Sequence, residues 1–161
     1  MNIFYLSENP VTAARFHADT HVVKMILESA QMLCTIVNSH AGEQVMPYKS
    51  THKNHPCTLW ASESLDNALW LVDLTRALND EFKHRFNHVN NHKSFDMLMN
   101  NDIMSKLREC LADKGMTKPA LAMPDEFKVS CPVESYRNYY RVAKVNLLKY
   151  TNQTMPEWLD V

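Results

Sequence analysis

The sequence predicts an all-α fold: two long helices, several shorter ones and a basic helix near the C-terminus, in one domain over residues 1–161. Three observations lead there. Glycine is confined to Gly42 and Gly115, whereas tight β-hairpins draw on Asn-Gly or Asp-Gly, and neither dipeptide occurs. Apolar residues recur at helical spacing, as at Val22, Val23, Ile26, Leu27, Ala30, Leu33, Ile36 and Val37. Pro10, Pro56 and Pro132 stand where helices would begin, the position at which a missing N–H costs nothing.

Taken in order, residues 2–6 are a short apolar run, read as an extended segment tied into the core. Asn9-Pro10 reads as an N-cap followed by proline at the first helical position. The helical pattern then runs to about Asn38, with room for an interruption near Asp19-Thr20 where a second cap can restart it. Residues 39–55 read as a polar loop carrying Gly42, Pro47 and a histidine cluster. Pro56 opens a second long helix with Leu59, Trp60, Leu65, Leu69, Trp70, Leu74, Leu78 and Phe82 as its buried stripe. Shorter helices follow over 95–112, with Ser94 and Asn101 or Asp102 as caps. Gly115, Pro119, Pro124 and Pro132 mark 113–132 as mainly loop. Pro132 starts a last helix to about Tyr150, and the tail carries Pro156-Glu157-Trp158.

Composition narrows the function classes. Two glycines cannot build a glycine-rich phosphate loop or a dinucleotide-binding turn. A formal charge of −1 disfavours a non-specific nucleic-acid coat, although eight histidines can add charge beside an anion. Cys34, Cys57, Cys110 and Cys131 are widely spaced with no C-x-x-C pair, which reads as reduced thiols rather than a disulfide frame or zinc ribbon. The opening Met1-Asn2-Ile3-Phe4 has no basic flank of the secretory kind, and no apolar run is long enough to span a bilayer. The expectation is a cytoplasmic protein with no membrane partner and no cofactor.

His21, Lys24, Glu28, Gln31 and Thr35 stand at offsets 0, 3, 7, 10 and 14, which return to nearly one azimuth of a helix. A carboxylate among hydrogen-bonding neighbours on a rigid helix suits stabilising a cation or moving a proton. A solvated face carrying a Lys24–Glu28 pair is the plainer reading; apolar residues on both flanks argue instead for a polar seam in a cleft. His17 and His21, and again His84 and His88, have H-x-x-x-H spacing without a third ligand, and no metal is expected.

Two basic regions could meet phosphate. The loop Tyr48-Lys49-Ser50-Thr51-His52-Lys53-Asn54-His55 lies ahead of a helix N-terminus, and no acid occurs from Gln44 to Ser62. It equally fits a solvated loop in which Asn54 or His55 caps the helix. From Ser135 to Pro156 the chain carries Arg137, Arg141, Lys144 and Lys149 with no acid, interleaved with Tyr136, Tyr139, Tyr140 and Tyr150. Cations among aromatics suit a nucleic-acid backbone and its bases, and also a helix whose tyrosines pack inward while its cations face water. Cys57 near His52 and His55 has the residue types of a nucleophile–base pair but no orienting third group.

In order along the chain, these pieces resemble the small all-α phage pyrimidine-dimer DNA glycosylases with AP-lyase activity. Asp19-Thr20-His21 with Glu28 seven residues on is similar to the family's catalytic helix. The stretch from Asn54-His55-Pro56 through Phe82 is similar to its second long helix. Met123-Pro124-Asp125-Glu126-Phe127-Lys128 resembles its Pro-x-Glu-Phe-basic segment, and Tyr136-Arg137-Asn138-Tyr139-Tyr140 its DNA-contacting motif. The opening Met-Asn-Ile-Phe also resembles that of a group of phage proteins.

The resemblance implies an N-terminal α-amine as nucleophile at the sugar C1′ carbon, here that of Met1. An α-amine titrates at about 7.7–8, so part of it is neutral at physiological pH. Glu28 would be the catalytic carboxylate and His21 would help hold substrate. Lys24, Gln31, His52, Lys53, Asn54, His55, Arg137, Tyr139, Tyr140, Arg141 and Lys144 would contact DNA or a nucleotide. Two features depart from the pattern: Asn2 is large enough to leave Met1 in place, and Leu27 and Gln31 stand where the family has arginines. The leading expectation is a glycosylase/AP lyase acting on a damaged or modified pyrimidine in DNA. The alternatives are an enzyme for a nucleotide or modified base on the same scaffold, and a non-catalytic phage protein that binds a host factor.

Overall fold

In the computed structural model, which describes residues 1–159, the chain is all-α, with no strand among the described residues. Helix α1 (Pro10–Phe16) starts where Asn9 accepts the Thr12 N–H and Pro10 takes the first position. Helix α2 (Asp19–Ala41) is about 34 Å long at helical rise and ends where Gly42 takes the left-handed conformation, φ 76°. Helices α3 (Pro56–Glu63), α4 (Leu65–Phe86), α5 (Lys93–Met99), α6 (Ile103–Cys110) and α7 (Pro132–Ala143) follow, with a 3₁₀ turn over Asp125–Phe127 ahead of α7.

The long helices α2 and α4 pack on one another, α1 lies along α4, and α3, α5 and α6 close against α2. One continuous apolar core joins Ile26, Leu33, Trp60, Leu71 and Leu74 to Tyr136 and Tyr140 of α7. The first residues run through it: Ile3, Phe4, Tyr5 and Leu6 are all buried, as expected of a tethered extended segment. Among the described residues no helix is long and apolar enough to cross a membrane.

Three boundaries differ from the sequence expectation. The expected helix from Pro56 through Phe82 is two helices, broken at Ser64, which is extended (φ −149°, ψ 159°). Ser64 ends α3 and caps α4 by accepting the Asn67 N–H, while the Leu65 N–H donates to the Ala112 carbonyl. Leu59, on the expected buried stripe, is 48% exposed, because α3 turns the face of Cys57, Thr58, Trp60 and Ala61 inward. The last helix stops at Ala143, well short of Tyr150, because the chain turns back to supply the Lys149 carbonyl to the free Asp19 N–H of α2. The cap of α5 is His92, which accepts the Ser94 N–H, rather than Ser94; Asp102 stands at the cap of α6 as expected, without a side-chain cap bond.

Candidate functional site

The site forms where the N-terminal segment crosses the polar seam of α2. Asn2 shapes that segment: its side-chain oxygen accepts the N–H groups of Ile3 and Phe4, and its amide donates to the Ala122 carbonyl. The bend puts Phe4 at φ 40°, a left-handed conformation that costs a side-chain-bearing residue about 1–3 kcal/mol. Its ring stacks on His21 at 4.4 Å between centroids and meets Tyr140 edge-on at 5.3 Å.

Glu28 is the centre. Its Oε2 accepts the Asn2 N–H at 3.1 Å and lies 3.6 Å from the Met1 α-amine; its Oε1 lies 3.5 Å from Lys24 Nζ. Glu28 is buried whereas Lys24 is exposed, so the seam is the wall of a recess rather than a solvated face. A cavity of about 160 Å³ opens there, bounded by Met1, Asn2, Phe4, His21, Lys24, Met25, Glu28, Tyr139 and Lys144. Lys144 Nζ lies over the Tyr139 ring, 4.7 Å from its centroid. Met1, Lys24 and Lys144 bring three cationic groups against one carboxylate, so the recess favours an anion. His21 is held neutral, its pKa lowered to about 4 by burial and by Lys144 and Lys24.

Of the residues singled out from sequence, Met1, His21, Lys24, Glu28, Tyr139 and Lys144 converge on this recess. Gln31 lies one turn further along α2, half-buried, with its carbonyl taken by Thr35. His52, Lys53 and Asn54 are exposed on their loop and do not line the recess. His55 caps α3 by accepting the Cys57 N–H, and burial followed by the Met1 amine lowers its pKa. Tyr140 is fully buried behind the recess, where its hydroxyl meets His21 and its ring meets Phe4.

The arginines of α7 are engaged with the protein itself. Arg137 donates to the Leu6 carbonyl and to Glu134, and Arg141 donates to the Trp158 carbonyl and to Asn138. Glu134 stands one residue before the acid-free run and supplies its missing counter-charge. Asp19 is buried between Arg85 and Thr151, a structural clamp.

Among the described residues no group of three or more potential metal ligands forms. His17 donates from Nδ1 to the Ala13 carbonyl and His84 bonds the Asn152 carbonyl. Burial pushes the Cys57 thiol up to about 11, which leaves it protonated and unsuited to attack. A larger groove of about 540 Å³, lined by residues such as Thr35, Ser39, His40, Lys53 and Leu59, contains no carboxylate and no ionised cluster. Asn2 and Phe4 were not legible as site residues; the only trace was an apolar run too short for a helix at the chain's start. Against known protein families, curated proteins and solved structures, the chain has no match.

Proposed function

We propose that the chain is an amine-dependent glycosylase/lyase that attacks the C1′ carbon of a deoxyribose, with the Met1 α-amine as nucleophile and Glu28 as its carboxylate. One observation carries this reading: a partly buried N-terminus whose α-amine lies 3.6 Å from a buried glutamate in a small, cationic recess. The resemblance to the pyrimidine-dimer glycosylases supports the same pair of groups.

The chemistry follows from that pair. The neutral amine attacks C1′; the bond from C1′ to the base breaks, and the base leaves with the electron pair and takes up a proton. The nitrogen sheds a proton to Glu28, and the ring oxygen O4′ accepts one as the C1′–O4′ bond opens to the imine. Loss of a C2′ proton then expels the 3′-phosphate, and water releases the product from the amine. Glu28 also stabilises positive charge at C1′, and Lys24 and Lys144 suit the flanking phosphates.

Borohydride trapping on an abasic-site duplex tests this, with intact mass establishing that the protein used carries a free Met1 terminus. A covalent adduct on the Met1 amine is expected, and Glu28→Gln should cut its rate by about 100-fold or more in a folded protein. A folded, Met1-terminated protein that gives no adduct overturns the reading.

A second reading has its own observation. Arg137 and Arg141 are engaged internally and the chain's formal charge is −1, so the two arginines of α7 do not supply a grip on a duplex. The substrate would then be a nucleotide or modified nucleoside handled by the same pair. Mononucleotide binding that persists as salt rises, without duplex affinity at low salt, would favour it.

A further inference from the structure

We infer that Tyr140 is a positioning residue that fixes His21 as the Nε2–H tautomer, so that the recess presents a neutral imidazole N–H donor to an acceptor oxygen of the substrate. The inference starts from a proton count. The Tyr140 hydroxyl lies 2.5 Å from His21 Nδ1, and its oxygen already faces a donor, the Ala18 N–H at 3.4 Å. A tyrosine hydroxyl has one proton to give. Among the described residues His21 Nδ1 is the acceptor within its reach. If Nδ1 carried the proton instead, the Tyr140 O–H would be left without an acceptor in a fully buried position. The hydroxyl therefore donates to Nδ1, and the ring proton sits on Nε2.

Nε2 opens on the cavity. It has no partner among the described residues, yet it is not one of the buried orphaned atoms, which include His17 Nε2. His21 lines the recess, and Phe4 stacked on its face holds the ring plane. The groups around the ring are the Met1 amine, His17 from the end of α1, Lys24 and Glu28 from α2, Tyr140 from α7, and Lys144 just beyond it. Burial and the lysines keep the ring neutral, and burial keeps the Tyr140 hydroxyl protonated.

A neutral imidazole donor is suited to an oxygen on which negative charge develops, because it stabilises the charge without having to lose its proton. In the reaction proposed above that oxygen is O4′ of the sugar, as its bond to C1′ opens. This assignment of the oxygen rests on the proposed function; the tautomer does not.

The test is a long-range ¹H–¹⁵N spectrum of the labelled full chain, with the His21 signals assigned through a His21 variant. At neutral pH, a pyrrole-type Nε2 and a pyridine-type Nδ1 are expected. In Tyr140→Phe the bare Nδ1 loses its donor, so the ring should titrate about one pH unit higher. A wild-type Nδ1–H ring, or a His21 charged at neutral pH, overturns the proposal whether or not the variant folds. On abasic DNA, His21→Gln, which keeps a donor near the Nε2 position, should retain about tenfold more trapping rate than His21→Asn. Tyr140→Phe should slow the wild type but add nothing in the His21→Gln background, and an equal loss in both would make Tyr140 merely structural. A correct tautomer with no adduct would overturn the lyase reading alone.

Discussion

Asn2 links the backbone of the first turn to the chemistry of the recess. Its side chain makes three hydrogen bonds within a buried segment, and its N–H is the hydrogen-bond donor closest to Glu28. Losing the side chain would strand the Ile3 and Phe4 N–H groups and free the strained turn that holds Phe4 against His21. Asn2→Leu has a similar size, so it should leave Met1 in place while removing all three side-chain bonds. We expect it to cost about 1–3 kcal/mol in urea unfolding. Trapping should fall further than that loss accounts for when assayed where the variant is fully folded, because the amine would no longer be held beside Glu28. A variant that unfolds like the wild type and traps at the same rate would show that Asn2 holds neither the turn nor the amine.

Among the helices, the joint between α1, α2 and α4 is the most demanding. Arg85 is completely buried, donating to Glu81 at 2.8 Å, to Asp19 at 3.2 Å, and to the His17 and Arg15 carbonyls at 2.7 and 2.9 Å. The planar fork serves four acceptors on three elements, which a lysine cannot do. Arg85→Met should destabilise the fold by about 3–5 kcal/mol by leaving Asp19 and Glu81 without their counter-charge, and Arg85→Lys should recover little of it; calorimetric or urea unfolding reads both. Near-wild-type stability for the lysine variant would sink the fork argument. None of this joint was visible in the sequence, where Asp19 stood out only beside His21. What the sequence did reveal was set locally: apolar spacing along α2, and proline at the starts of α1, α3 and α7. The break at Ser64 and the end of α7 depend on Ala112 and Asp19, partners remote along the chain, so periodicity ran past them. The site divides the same way. Glu28, His21 and Lys24 share a helix face and could be read together. The internal engagement of Arg137 and Arg141 depends on Leu6 and Trp158, which spacing cannot reveal.

For the molecule as a whole, two buried histidines make stability a function of pH. His17, fully buried, has its pKa lowered to about 3, chiefly by burial, and His21 to about 4. In the unfolded chain both titrate near the ordinary value of about 6.5. Above that value neither state holds the extra protons, and these residues add no pH dependence. Between about 6.5 and 4 the unfolded chain binds up to two more protons than the folded one, so stability falls as pH falls. The slope approaches about 2.7 kcal/mol per pH unit where both differ fully. Burial lowers His55 and His92 as well, in the same direction. Urea midpoints at constant ionic strength should therefore drop steadily from pH 7 to 4.5, before most carboxylates protonate. His17→Phe removes one of these protons and should flatten the slope by at most about half, even though it loses the bond to the Ala13 carbonyl and starts from a lower stability. A flat profile in the wild type would mean that the two rings are not held neutral. Both rings contact Phe4, so protonating them strains the same turn that brings the Met1 amine to Glu28. Acid should then cost the recess its geometry before the outer helices unfold, and trapping should fail at a higher pH than the helical signal of circular dichroism.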